Sequence, residues 1–226
     1  MGYLLAAMAI GCGLIVSLLI RRAMSTAVRE QSRMMTASGI TAIAAADLML
    51  KQAGNENVRI VSANGKLTDH FDPDDNTIYL SEETVLARDV ASISIAAHEA
   101  GHAMQKHSGS WLLPLRYFKL FPVRKTAGLA WILLPAGLIL SSGSMMWIGA
   151  GLFLVSIMTV LVILPVEMNA SRIGIALMDR CGLFTEDEFR GAKKVLCAAS
   201  MTHVLPVFMG PLVVLQKLRR CFFPAA

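Results

Sequence analysis

Long uncharged apolar runs alternate along this chain with stretches that pattern like a water-soluble domain. Residues 2–20 carry no charge and, at about 1.5 Å per helical residue, reach across a hydrocarbon core of about 30 Å. Residues 126–166 also lack any charged side chain. That length is too great for one span and suits two, turning at Ser141-Ser142-Gly143-Ser144, with Pro135 tolerated inside a membrane helix. A third apolar block, 195–216, is interrupted by Pro206, Gly210 and Pro211. It reads either as a further span or as a segment buried against the bundle, and the basic run that follows it favours the second.

Between these blocks the pattern changes. Residues 24–53 read as helical and stop at Gly54. Val58–Val61 reads as a strand before Asn64-Gly65, a strong two-residue hairpin signal, with Lys66–Phe71 as the returning strand. Asp72–Asn76 is a turn cluster and Thr77–Leu80 a further short strand. Ser81 can cap a helix whose first turn holds Glu82 and Glu83. A long helix is predicted from about Val90 to His107, ending near Gly109. Another runs from Glu167 to Cys181 and is closed by Gly182. Thr185 with Glu188 forms a capping box that opens one more. The layout is a leading anchor (1–22), a polar segment (23–125), an apolar hairpin (126–166) and a C-terminal helical and apolar segment (167–226).

Composition fits this division. The chain of 226 residues is 55% hydrophobic and 16% charged, against about 45–50% and about 25% in soluble domains. The net charge of +5 is scattered rather than massed into a stripe, which argues against nucleic acid as a partner and leaves the lipid bilayer as the expected one. Arg21-Arg22 follows the first run, whereas a cleavable signal peptide carries its positive charge ahead. With Arg124-Lys125 before the hairpin, the positive-inside rule puts the polar segment in the cytoplasm. The expectation is a multi-pass protein with its polar part on the cytoplasmic face. The four cysteines show no CxxC spacing and read as buried free thiols.

One segment carries chemistry. His98 and His102, four positions apart, leave one face of a helix, an arrangement that suits Zn²⁺ with a third protein ligand and an open water position. Glu99 lies beside the first histidine, where it can take a proton from that water. From Ala91 to Met104 it is the only charged residue, with Ser92 and Ser94 the polar groups besides the histidines, and three polar residues on successive turns of an otherwise uncharged helix need internal partners. A third ligand must come from elsewhere. Glu167 follows an apolar run and Pro165, where an acid is costly without a partner, and its neighbours Ala170 and Ser171 are small enough to let another helix approach. The competing reading of Glu167 is an acid at a helix N-terminus serving the dipole.

These residues resemble the YugP-type neutral zinc metallopeptidases. The similarity lies in Ala96–Gln105, in Leu67–Pro73, in Leu80-Ser81 and in Leu164–Arg172, and it covers nearly the whole chain in order. The layout is more distantly similar to HtpX and the membrane CAAX-prenyl endopeptidases, gluzincins that also place a membrane hairpin between the two histidines and the glutamate ligand. The resemblance implies peptide-bond hydrolysis, zinc held by His98, His102 and Glu167, and Glu99 as general base. Two positions depart from the pattern, with Asn169 where Asp is usual and His203 where Tyr is usual. His203 reads as a hydrogen-bond donor to the oxyanion or as a satisfied buried histidine. Asp69 and His70 read as contacts to a peptide added along a strand edge or as turn chemistry.

The expected fold is thus an α-rich membrane protein: a helical zincin-like metallopeptidase core, a small β-hairpin or edge-strand element and about three transmembrane helices. The expected substrate is a peptide or protein, with membrane proteins among the candidates. An intramembrane site-2-type protease is the rival enzyme, disfavoured because Arg88, Asp89 and Lys106 leave the motif helix short for a span. A metal-stabilised scaffold without turnover is the rival from another class, and Glu99 argues against it, since structural zinc needs no base.

Overall fold

A computed structural model describes residues 2–65, 68–111, 113–114, 123–201 and 207. The chain divides into two compact units, one of residues 1–23, 118–164 and 201–226, the other of residues 24–117 and 165–200. Helices dominate and one small sheet accompanies them.

The first unit holds the start of α1 (Gly2–Gln31), then α5 (Val123–Ile139) and the apolar part of α6 (Gly143–Arg180). The turn between α5 and α6 falls on the predicted Ser-Ser-Gly-Ser segment. A Cβ at Gly137 would stand 2.9 Å from the Met146 backbone nitrogen, and one at Gly149 would stand 3.1 Å from that of Leu134. The glycines let the two helices touch backbone to backbone, as small residues do in membrane bundles. Thr126 and Ser156 share a hydrogen bond of 2.9 Å between them. Trp131 packs edge-on against Phe153 and donates its indole N–H to the Val207 carbonyl. Outward-facing Ile139, Trp147, Ile148, Leu154 and Leu161 are exposed, an apolar surface that water would penalise. Among the described residues one helix, α6, is long and apolar enough to cross a membrane; the apolar stretch of α5, Thr126–Ile139, is shorter. The count of about three spans is therefore not reproduced, and most of the 195–216 block, with His203, lies outside the described residues.

The second unit begins with a departure from expectation. The helix predicted over 24–53 is two helices, α1 and α2 (Ala42–Gln52), separated by an extended segment. That segment bonds to the chain ahead of α4 (Val90–His107): Met35 bridges Asp89, Thr36 N–H reaches the Arg88 carbonyl and Ala42 N–H that of Ala87. The Thr41 hydroxyl then caps α2 by accepting from Ala44 N–H, and Gly54 ends it with φ of 71°.

The sheet also differs from the prediction. Its strands β1 (Arg59–Ala63), β2 (His70–Asp72) and β3 (Thr77–Ser81) lie in the order β1-β3-β2. Asn64-Gly65 makes no tight hairpin; β1 instead pairs parallel with β3, Arg59 opposite Thr77. The hairpin present joins β2 to β3 through Asp72–Asn76, where the Asp72 carboxylate accepts Asp74 N–H and Asn76 takes φ of 57°. Burial explains the order. Ile78 and Leu80 are fully buried, so β3 must be central, and β1, with Arg59 and Ser62 exposed and the rest half-buried, serves at an edge. A short α3 (Glu82–Val85) follows.

Helix α4 (Val90–His107) is the axis of this unit. Asp89 caps it by accepting from Ser92 N–H and Oγ–H. Ala96, Ala100 and Ala103 pack with Ala42, Ala45, Ala46 and Met49 of α2 and with Phe71, Ile78 and Leu80 of the sheet. Helix α6 crosses at van der Waals contact. A Cβ on Gly101 would collide with the Ala170 carbonyl, and one on Gly174 would stand 2.7 Å from that of Ala97. Gly182 closes α6 and the reciprocal Thr185–Glu188 capping box opens α7 (Glu186–Met201), as the sequence predicts. Of the described cysteines, Cys12, Cys181 and Cys197 are free as expected, but Cys12 and Cys197 are exposed rather than buried.

Candidate metal centre

The crossing of α4 and α6 sets three donor atoms face to face. His98 and His102 leave α4 one turn apart, and the missing side chain at Gly101 lets α6 come close enough to insert Glu167. His98 Nε2 lies 3.1 Å from Glu167 Oε2, His102 Nε2 lies 3.3 Å from the same oxygen, and the two nitrogens are 3.2 Å apart. All three residues are buried, His102 and Glu167 completely. Helix α6 runs unbroken through Pro165, so Glu167 is deep inside it, not at the start of a new helix. Pro165 removes a single amide donor, which a membrane-type helix tolerates. The dipole reading of Glu167 therefore falls, because that effect fades within the first turn.

Hydrogen bonds on the far side of each ring fix what the near side offers. His102 Nδ1 is 2.9 Å from Gln105 Oε1, and the Gln105 amide nitrogen donates to the Val166 carbonyl and to Asn169 Oδ1. A backbone carbonyl can only accept, so the amide's orientation is set. Its oxygen then requires a proton on His102 Nδ1, which leaves Nε2 as a lone pair in the neutral ring. His98 Nδ1 lies 3.0 Å from the Ser171 hydroxyl, itself bonded to Ser200 Oγ and near the Leu196 carbonyl. The Nε2 lone pair of His102, Nε2 of His98 and a carboxylate oxygen thus converge in a buried site. A shared proton relieves one of these three contacts; a divalent cation relieves all three. Donors about 2.0–2.1 Å from a tetrahedral centre stand about 3.3–3.4 Å apart, and two imidazoles with a carboxylate form a zinc donor set. The triangle fits that metal.

Glu99, next to His98 in the chain, is also buried on this helix. Its Oε2 accepts the Phe71 backbone N–H at 2.8 Å, which ties the carboxylate to strand β2 at the edge of the sheet. Asp69 and His70 are placed differently. The Asp69 carboxylate accepts Ser81 N–H, tying the approach to β2 onto the end of β3. His70 is exposed, stacks on Tyr79 with ring centroids 4.8 Å apart, and its Nδ1 contacts the Thr68 carbonyl. The Tyr79 hydroxyl donates to Asp75, a bond that holds the Asp75 carboxyl below its usual range and lifts the Tyr79 phenol above its own. Sequence reasoning passed over Gln105 and took Ser171 only as a small residue. The available signal was a polar side chain one turn beyond His102 on an apolar helix.

Residues 6–221 match the family model described as "Putative neutral zinc metallopeptidase". Over 176 residues the chain is 36% identical to "Putative membrane protease YugP" of Bacillus subtilis (strain 168), covering 77% of this chain and 78% of that protein. No solved structure matches the chain.

Proposed function

The chain belongs to the neutral zinc metallopeptidase family, and on that premise we propose that it is a membrane-bound metalloendopeptidase of the gluzincin type. The observation that carries the proposal is the convergence of His98 Nε2, His102 Nε2 and Glu167 Oε2, with the buried Glu99 next to His98 on the same helix. These three residues would hold zinc. Bound there, zinc supplies a Lewis acid and a water of lowered pKa. Glu99 takes the proton of the attacking water and returns it to the departing amine. The Phe71 amide holds the carboxylate in place, so the base needs no reorganisation at the moment of proton transfer. Strand β2 borders Glu99, and an extended peptide pairing with its main chain would lay a carbonyl beside the base. In this reading Asp69 and His70 shape the strand rather than touch the peptide.

The retention of Glu99 also separates this reading from a metal-stabilised scaffold, which needs the two histidines and Glu167 but no base. The direct test uses the full chain in detergent. The purified protein is expected to contain one equivalent of zinc and to cleave an unfolded polypeptide. Dialysis against a chelator should abolish cleavage, and added zinc should restore it. Cleavage that survives complete metal removal would overturn the proposal.

We further place the catalytic unit on the cytoplasmic face of a multi-pass protein, on the strength of Arg21-Arg22 and Arg124-Lys125 flanking the apolar runs. Single cysteines introduced at positions 60 and 143 report the topology. Position 60 should react only after the membrane is permeabilised, and position 143 in intact cells. The reverse pattern would invert the orientation and leave the chemistry standing.

A further inference from the structure

Gln105 is fully buried, and its amide makes three hydrogen bonds, all to residues that build the triangle or adjoin it. Oε1 faces His102 Nδ1 at 2.9 Å. Nε2 donates to the Val166 carbonyl at 2.9 Å and to Asn169 Oδ1 at 2.8 Å. Val166 immediately precedes Glu167 and Asn169 lies two residues beyond it. One planar amide therefore couples the ring of one donor residue on α4 to the helical turn that presents another on α6.

Resting on the metallopeptidase reading above, we propose that Gln105 is a positioning residue that selects the tautomer of His102 and so presents its Nε2 lone pair to the metal. The selection runs through the amide's polarity. The Val166 carbonyl claims the NH₂ end, leaving only the oxygen for His102, and an oxygen there holds the imidazole proton on Nδ1. Turned over, the amide would set its oxygen against two acceptors, the Val166 carbonyl and Asn169 Oδ1. Without the amide, the histidine can carry its proton on Nε2 and aim it into the site. Partners of this kind typically change metal affinity by about 10–100-fold. Asn169 belongs to the same device. Its carbonyl oxygen holds the second amide hydrogen, a part a carboxylate at that position would play with a stronger, charge-assisted bond.

Two variants separate tautomer selection from simple packing of α4 against α6. Gln105→Met keeps the length and removes every polar contact. Gln105→Glu keeps an acceptor for His102 Nδ1 but loses both donations to α6. Zinc affinity is measured by competition with a chromogenic chelator on the full-length protein, and the thermal midpoint of each metal-free variant is recorded alongside. Gln105→Met is expected to bind zinc at least about tenfold more weakly, with Gln105→Glu within about threefold of the wild type. If Gln105→Glu loses as much affinity as Gln105→Met, the acceptor facing His102 Nδ1 is not what sets the affinity and the proposal fails. Wild-type affinity in Gln105→Met overturns it as well. Should Gln105→Met fail to fold, Gln105→Leu takes its place under the same criteria. A wild-type protein that binds no zinc would instead sink the metallopeptidase reading, so the two failures are distinct.

Discussion

Glu99→Gln is expected to keep its zinc and to hydrolyse peptides at least about a hundredfold more slowly than the wild type, the lower end for loss of a general base. That factor corresponds to about 2.7 kcal/mol of transition-state stabilisation. The substitution is well matched to the question. The carboxamide has the size of the carboxylate, and its oxygen can still accept the Phe71 N–H now held by Glu99. Neither the α4 core nor the triangle formed by His98, His102 and Glu167 should shift. Only the capacity to take a proton is removed. Zinc stoichiometry and initial rates are measured on the same preparation, so a loss of metal cannot pass for a loss of base. Undiminished turnover with zinc in place would take Glu99 out of the mechanism and return the scaffold reading to contention.

Where the sequence was readable, the signals were local. The bounds of α4 follow from residues within a few positions of them: Asp89 accepting from Ser92 at the start and Gly109 in the left-handed region just past the end. The Thr185–Glu188 box and Gly182 are equally local. The failures were nonlocal. Asn64-Gly65 carries a strong hairpin signal, yet β1 gains more by lying parallel to β3, whose Ile78 and Leu80 then become core. No pattern near residue 64 encodes a partner beginning at Thr77. Pro165 followed by an acid reads as a helix boundary, and only the burial of Glu167 against α4 shows why the helix continues. The 32–41 segment looked helical because its apolar spacing allows it, but its amides find better partners around Arg88. Gln105 was invisible for the same reason: Val166 and Asn169 are some sixty positions away along the chain, and only the fold makes them neighbours. The candidate donor triad was legible because two of its members share a helix face. The third was a carboxylate in an apolar setting, a placement that demands a partner wherever it occurs.

That third member gives the other large effect. Glu167→Ala should weaken zinc binding by more than about a hundredfold, beyond the range for an outer hydrogen-bond partner, and should abolish peptide hydrolysis. Two imidazoles alone leave the metal one protein ligand short of a catalytic site. Asp179→Asn is the matched control. It lies on the same helix about 18 Å further on and is exposed, so neither property should change. The metal-free proteins add a readout that activity cannot supply. Without a cation, the buried Glu167 carboxylate sits 3.1 and 3.3 Å from two imidazole nitrogens, and burying a charge there is costly. Glu167→Gln keeps the side chain's volume and removes that charge. Its metal-free thermal midpoint should therefore equal or exceed that of the metal-free wild type, while the rise that zinc produces in the wild type should vanish. A residue that merely packs α6 against α4 would leave the zinc-dependent rise intact in Glu167→Gln. Wild-type zinc affinity in Glu167→Ala would place the third donor elsewhere, and the gluzincin assignment would fall with it.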